Sequence, residues 1–210
     1  MSADPVADLL WLLDWRRTIS ELYAEIRATP NKHAAWHRWR EARVRLFAEH
    51  PQSPVPASER RDYAGPHLYD YDAASSALAS VEAVEAKHFE LPTSNVDTMV
   101  FSRFGVAHFT LAGAGLALEL YWLEGYGGGL FVPFADATSG QETYGAGRYL
   151  FDSIKGADLG QRDGQLLLDF NFAYQPSCAY DPRWTCPLAP PANRLPVPVR
   201  AGERLIGSPA

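Results

Sequence analysis

Acids, amides, arginines, tyrosines and both cysteines crowd into residues 131–203, the last third of the chain, in sequence broken by glycine and proline turns. Side chains carried on turns converge only when a rigid scaffold holds them. Asp169 and Asn171 lead the candidates. They alternate at the end of the apolar run 166–168, so an extended chain points both to one face and Phe170 and Phe172 to the other. A buried acid and amide are costly unless donors reach them, and Arg148, Tyr144 and Tyr174 are donors of the right type. One reading is a structural Arg148–Asp169 pair that organises the tail. The other is a pocket with metal-independent acid–base chemistry. There Arg148 holds an anionic or carbonyl group, Asp169 or alternatively Asp136 acts as acid or base with Tyr144, and Asp136, Asn171, Tyr174 and Asn193 bind the ligand.

Other constellations carry less. Cys178 and Cys186 are separated by seven residues, unlike a Cys-x-x-Cys redox pair, and two thiols alone do not complete a structural zinc site. Inert buried cysteine is the simplest reading of each. A thiol or metal site there requires the sulfurs to lie together or beside a histidine. His33 and His37, four apart on a helix, could face one metal if a third ligand approached, but no zinc-protease motif surrounds them. No motif names a cofactor: the glycines of 125–129 lack the following Lys-Ser/Thr of a phosphate loop, and Gly145-Ala-Gly-Arg148 is too short for a dinucleotide fingerprint. That second glycine pair instead reads as a tight turn presenting Arg148. Ser139 is in no nucleophile elbow.

The chain has 210 residues and a formal charge of −6, which argues against non-specific nucleic-acid binding, since that needs a concentrated basic face. Lysine is limited to Lys32, Lys87 and Lys155 and arginine dominates, a bias we read as coding rather than chemistry. No apolar run is long enough to cross a bilayer and the N-terminus does not read as a signal peptide, so a soluble, cytoplasmic protein with free thiols is expected, the alternative in an oxidising compartment being a Cys178–Cys186 bridge across a short loop. Oligomeric state is left open.

Elements must position these groups. Asp4 and Pro5 read as N-cap and first helical residue, followed by Leu9, Leu12, Leu13, Ile19, Leu22, Tyr23 and Ile26 at helical spacing. Asn31 caps a second helix with Trp36, Trp39, Leu46 and Phe47 inward, ending before Pro51. Thereafter the pattern is β. Strands are expected near 78–86, 98–104, 106–111, 116–122, 130–134, 148–151 and 165–170, the middle ones pairing consecutively through glycine turns at 112–115 and 125–129. From 177 onward frequent prolines predict a tail that wraps the sheet, with a short strand near 197–199. The expected fold is α+β: an N-terminal helical hairpin, residues 1–50, packed within one globular unit on a mostly antiparallel barrel-like or sandwich-like β-domain, residues 51–210.

The motifs Phe131-Val-Pro-Phe-Ala-Asp-Ala-Thr-Ser-Gly140, Thr143-Tyr-Gly-Ala-Gly-Arg-Tyr-Leu150, Leu168-Asp-Phe-Asn-Phe-Ala-Tyr174, Cys178-Ala-Tyr180, Cys186-Pro187, Asn193-Arg-Leu195 and Ala201-Gly-Glu203, with His50-Pro-Gln-Ser-Pro54 upstream, resemble a prokaryotic family catalogued as a domain of unknown function, number sixteen-eighty-four. The resemblance spans nearly the whole chain and implies no reaction. Gln175 stands where similar proteins are expected to carry asparagine. The functional expectation is therefore a small polar or anionic ligand in a pocket framed by these motifs, with a non-catalytic interaction or ligand-sensing protein as the alternative.

Overall fold

A computed structural model describes residues 4–94 and 98–205. Helix α1 (Pro5–Ala28) starts as its sequence dictates: Asp4 accepts hydrogen bonds from Val6 N–H and Ala7 N–H, and Pro5 sits where a missing donor costs nothing. Helix α2 (Lys32–Glu49) begins at Asn31, whose side chain accepts from Ala34 N–H. Its inward face is Trp36, Trp39, Leu46 and Phe47, as the spacing predicts. The first half of α1 departs from expectation. Ile19, Leu22, Tyr23 and Ile26 are buried, but Leu9 and Leu13 are 69% and 53% exposed, because the β-layer covers only the C-terminal half of this helix.

Seven strands form one antiparallel sheet curled into a half-barrel: β1 (Ser76–Pro92), β2 (Thr98–Leu111), β3 (Ala114–Leu123), β4 (Gly129–Phe134), β5 (Arg148–Asp152), β6 (Gln161–Arg162) and β7 (Gln165–Asp169), in the order β5-β4-β3-β2-β1-β7-β6. The curl has a local cause. β1 pairs with β7 through residues 76–79 and with β2 from Ser80 onward, and a register shift between Ala83 and Lys87 bends it. β2 runs unbroken through Gly105, where two strands are expected from sequence; the irregularity there is a bulge against β3, not an end. The expected strand at 197–199 is absent, and the tail instead bonds singly to neighbouring loops.

The helical hairpin closes the open side of the half-barrel. Trp39 meets Phe172 edge-on at 5.6 Å, and one continuous apolar cluster includes the buried faces of both helices together with Leu118, Leu150, Phe134 and Phe170. A second, aromatic cluster joins Phe101, Tyr121, Phe131 and Tyr149 at the other end of the sheet.

Candidate functional site

Arg148 opens β5 immediately after Gly147. The glycine has φ +97°, and a Cβ there would lie 2.5 Å from Phe134 O, so this turn takes only glycine and it delivers Arg148 inward, as expected. What Arg148 meets differs from expectation. Its guanidinium donates to Asp136 Oδ2 at 2.9 Å and to the carbonyls of Val199, Ala201 and Glu203, with Phe134 stacked against it. Asp136 Oδ1 accepts from Thr138 N–H and Oγ1 and from Val199 N–H. Arg148 therefore pairs with Asp136, not Asp169, and both are buried and turned toward the tail rather than toward solvent.

Asp169 and Asn171 do meet, by another route. The strand ends at Asp169 and residues Phe170–Phe172 form a one-turn 3-10 helix, so the strand alternation assumed from sequence stops there. Asp169 caps that turn, accepting from Asn171 N–H and Nδ2, while Asn171 exchanges hydrogen bonds with the backbone of Asp72. Burial pushes the Asp169 carboxyl above its ordinary value, against the two Asn171 donors. Asn193 is also occupied. β3 and β4 pair only from Tyr121 and Phe131 outward; beyond them the Asn193 amide fills the gap, accepting from Glu119 N–H and donating to the carbonyls of Glu119 and Pro133.

The expected cluster is thus distributed over three separate braces. Arg148, Asp136, Asp169, Asn171 and Asn193 line none of the molecule's main cavities among the described residues. Tyr144 lies 3.7 Å from Cys178 Sγ, with its phenol pushed up to about 12 chiefly by burial. Among the described residues, Tyr174 alone of the expected set lines one of these cavities.

That cavity, about 60 Å³, lies where both helices meet β5 and the segment 174–177. Gly156, with φ +90°, brings the turn after β5 against α1; a Cβ there would stand 2.8 Å from Ser20 N. Lys155 on this turn is half-exposed at the rim, 3.3 Å from the buried Asp152. Asp152 holds the Lys155 ammonium above its ordinary value. Burial raises the phenols of Tyr23, Tyr149 and Tyr174, and the nearby Asp152 carboxylate adds to each shift, so all three stay protonated donors at neutral pH. Arg43 completes the polar lining. It is held by Glu203 and stacks on Trp39, Phe47 and Tyr174; burial opposes its charge most strongly, but Glu203, Tyr180 and Tyr23 together outweigh burial and hold the guanidinium above its ordinary value. Asp152, Lys155 and Arg43 are absent from the sequence-derived candidates. Asp152 lies two residues beyond a motif segment, and Lys155 is one of three lysines in an arginine-rich chain, which are the signals that point to them.

His33 and His37 face each other, Nε2 to Nε2 at 3.1 Å. Among the described residues no group of three His, Cys, Asp or Glu side chains is placed to hold a metal ion, and no helix is long and apolar enough to cross a membrane. Cys178 and Cys186 come together: Cys178 N–H donates to Cys186 Sγ at 3.4 Å.

A family model described as Protein of unknown function (DUF1684) matches residues 61–204. The chain belongs to this family. The match covers all seven strands, the 174–180 segment and the tail that Arg148 grips. Among solved structures, the uncharacterized protein of gene locus rrnAC0354 of Haloarcula marismortui is similar at 34% identity, with a TM-score of 0.61, covering 86% of this chain and 97% of that one. No curated protein matches the chain.

Proposed function

We propose that this DUF1684 member binds a small polar or anionic molecule in the cleft between the helical hairpin and β5. The observation that supports this reading is the convergence of Asp152, Lys155 and Tyr174 on one concave space while the other motif acids and amides are consumed by internal braces. A hydroxycarboxylate has matching chemistry: its carboxylate faces the Lys155 ammonium, its hydroxyl bonds Asp152, and its carbon skeleton lies on Phe47 and Tyr174. The cleft is small, about 60 Å³, so the ligand has few heavy atoms. In this proposal Arg148, Asp169 and Tyr144 carry no acid–base step. A cytoplasmic setting is part of it, both cysteines being free thiols.

Mass spectrometry of small molecules retained by the native protein tests the reading, with Lys155→Ala alongside. A compound retained by the wild type and weakened about tenfold or more in the variant, roughly 1.4 kcal/mol, is expected. Equal retention by both removes Lys155 as an anchor and the proposal with it.

A further inference from the structure

The only two cysteines of the chain are eight residues apart in sequence and in contact in space, and they differ in access: Cys186 is 2% exposed, whereas Cys178 is partly open to solvent. The Cys186 end is fixed. Cys186 O accepts from Ser94 N–H at 2.8 Å, Cys186 N–H donates to Ser94 Oγ at 3.1 Å, and Leu188 N–H donates to Pro92 O, so the strand end of β1 anchors this thiol. Cys178 sits on a single 3-10 turn, Ser177–Ala179. The Tyr144 phenol lies 3.7 Å from its sulfur and can donate to it, and the Cys178 N–H reaches the Cys186 sulfur at 3.4 Å, so a donor and the second thiol both border Cys178. An inert buried cysteine needs no such arrangement, because a neutral thiol gains little from donors aimed at its sulfur and a thiolate gains much.

We propose that Cys178 and Cys186 form a redox dithiol site, in which Cys178 reduces a small hydroperoxide and Cys186 resolves the product as an intramolecular disulfide. The Cys178 thiolate attacks the terminal peroxide oxygen; the O–O bond breaks, and the leaving alkoxide or hydroxide takes a proton from solvent or from the Tyr144 phenol, which water re-protonates. Cys178 is then a sulfenic acid. Cys186 sulfur attacks it, its proton and the sulfenic hydroxyl leave as water, and the S–S bond closes. Two thiols and one hydroperoxide thus give one disulfide, one alcohol or water from the leaving group, and one further water. An external dithiol resets the site by exchange.

Electrostatics agrees with this division of labour. The Cys178 thiol is pulled down to about 6, first by the Cys186 thiol and then, against burial, by Tyr144, while Cys186 is pushed up by the neighbouring thiolate and by burial. One sulfur is thereby the nucleophile and the other the proton-bearing resolver. The site is independent of the cleft proposal, since no ligand of that cleft enters the reaction.

The test exposes the full chain to hydrogen peroxide and reads intact mass, non-reducing peptide maps and dimedone labelling. Wild type is expected to lose two hydrogens, to yield a linked peptide containing Cys178 and Cys186, and to recover with dithiothreitol. Cys186→Ser should stall as a sulfenic acid that dimedone labels at Cys178; Cys178→Ser should take no label. Tyr144→Phe should slow alkylation of Cys178 by iodoacetamide severalfold at neutral pH without unfolding the protein. Because Cys186 is buried and its variant could fail to fold, wild-type Cys178 is also compared with glutathione for reaction with iodoacetamide and with peroxide. Reaction no faster than glutathione, or peroxide oxidation that leaves the two cysteines unlinked, overturns the proposal.

Discussion

Removing the Arg148 guanidinium would leave the buried Asp136 carboxyl without its principal counter-charge and would release three tail carbonyls at once. Breaking a buried ion pair from one side costs about 3–5 kcal/mol. Arg148→Ala should therefore lower unfolding free energy by that order in urea titration, while any ligand retained by variant that still folds should be retained as by wild type. Loss of ligand with unchanged stability would reverse the assignment of Arg148 from brace to anchor. Asp169 gives a pH-dependent counterpart. Its carboxyl is raised in the folded state, so the fold binds that proton more tightly than the unfolded chain does; its contribution is full below the unfolded value, about 3.9, and is lost as pH rises through the higher folded value. Asp169→Asn retains an acceptor for Asn171 N–H and removes the titration. The stability of the variant relative to wild type should climb across that acidic window and then level off, a difference in which other carboxylates cancel. A flat difference would contradict the raised folded value.

At the scale of elements, the two halves of α1 should respond oppositely to truncation. Ile26→Ala removes a buried side chain and should cost about 2–5 kcal/mol, whereas Leu9→Ser and Leu13→Ser at exposed positions should stay within about 0.5 kcal/mol. Denaturant midpoints check both, and a large loss at Leu9 would mean that the first half of the helix is packed. Gly147→Ala forces a side chain onto Phe134 O at positive φ and should cost at least about 1–3 kcal/mol. Both helices, their caps and the consecutive pairing of the middle strands were legible, because each depends on local signals: Asp4 with Pro5, Asn31, and the glycine turns between strands. The burial of α1 was only half legible. Helical spacing marks Leu9 and Ile26 alike as apolar-face residues, and only the sheet's extent decides which is covered. The 3-10 turn after Asp169 had no signal strong enough to override strand alternation, so Asn171 was placed correctly beside Asp169 for an incorrect reason.

For the molecule as a whole, the tail holds the layers together. Glu203 accepts from Arg43 on α2, from Gln175 N–H and from the Tyr180 hydroxyl, while Arg148 grips the backbone around it. The segments that mark the family resemblance include Arg148, Asn193 and Glu203, the residues of this clasp. Their density in turn-rich sequence signals convergence, and sequence cannot distinguish convergence on a ligand from convergence on the protein's own backbone. The partner of Arg148 was misassigned for that reason: Asp136 and Asp169 are equal candidates by type, and only the path of the tail beside Ala135 and Ala137 separates them. The cleft was missed because it joins helices, β5 and the 174–177 segment, four stretches far apart in the chain, with Arg43 and Lys155 in no recognisable pattern. Its occupancy is most directly read by titrating isotopically labelled protein with L-lactate, and with acetate for comparison, while following backbone amide resonances. Saturable shifts centred on Asp152, Lys155, Gln175 and Ser177, stronger for lactate and abolished in Lys155→Ala, are predicted; saturable shifts centred on Asp169 and Asn171, or none in the cleft, would contradict the account.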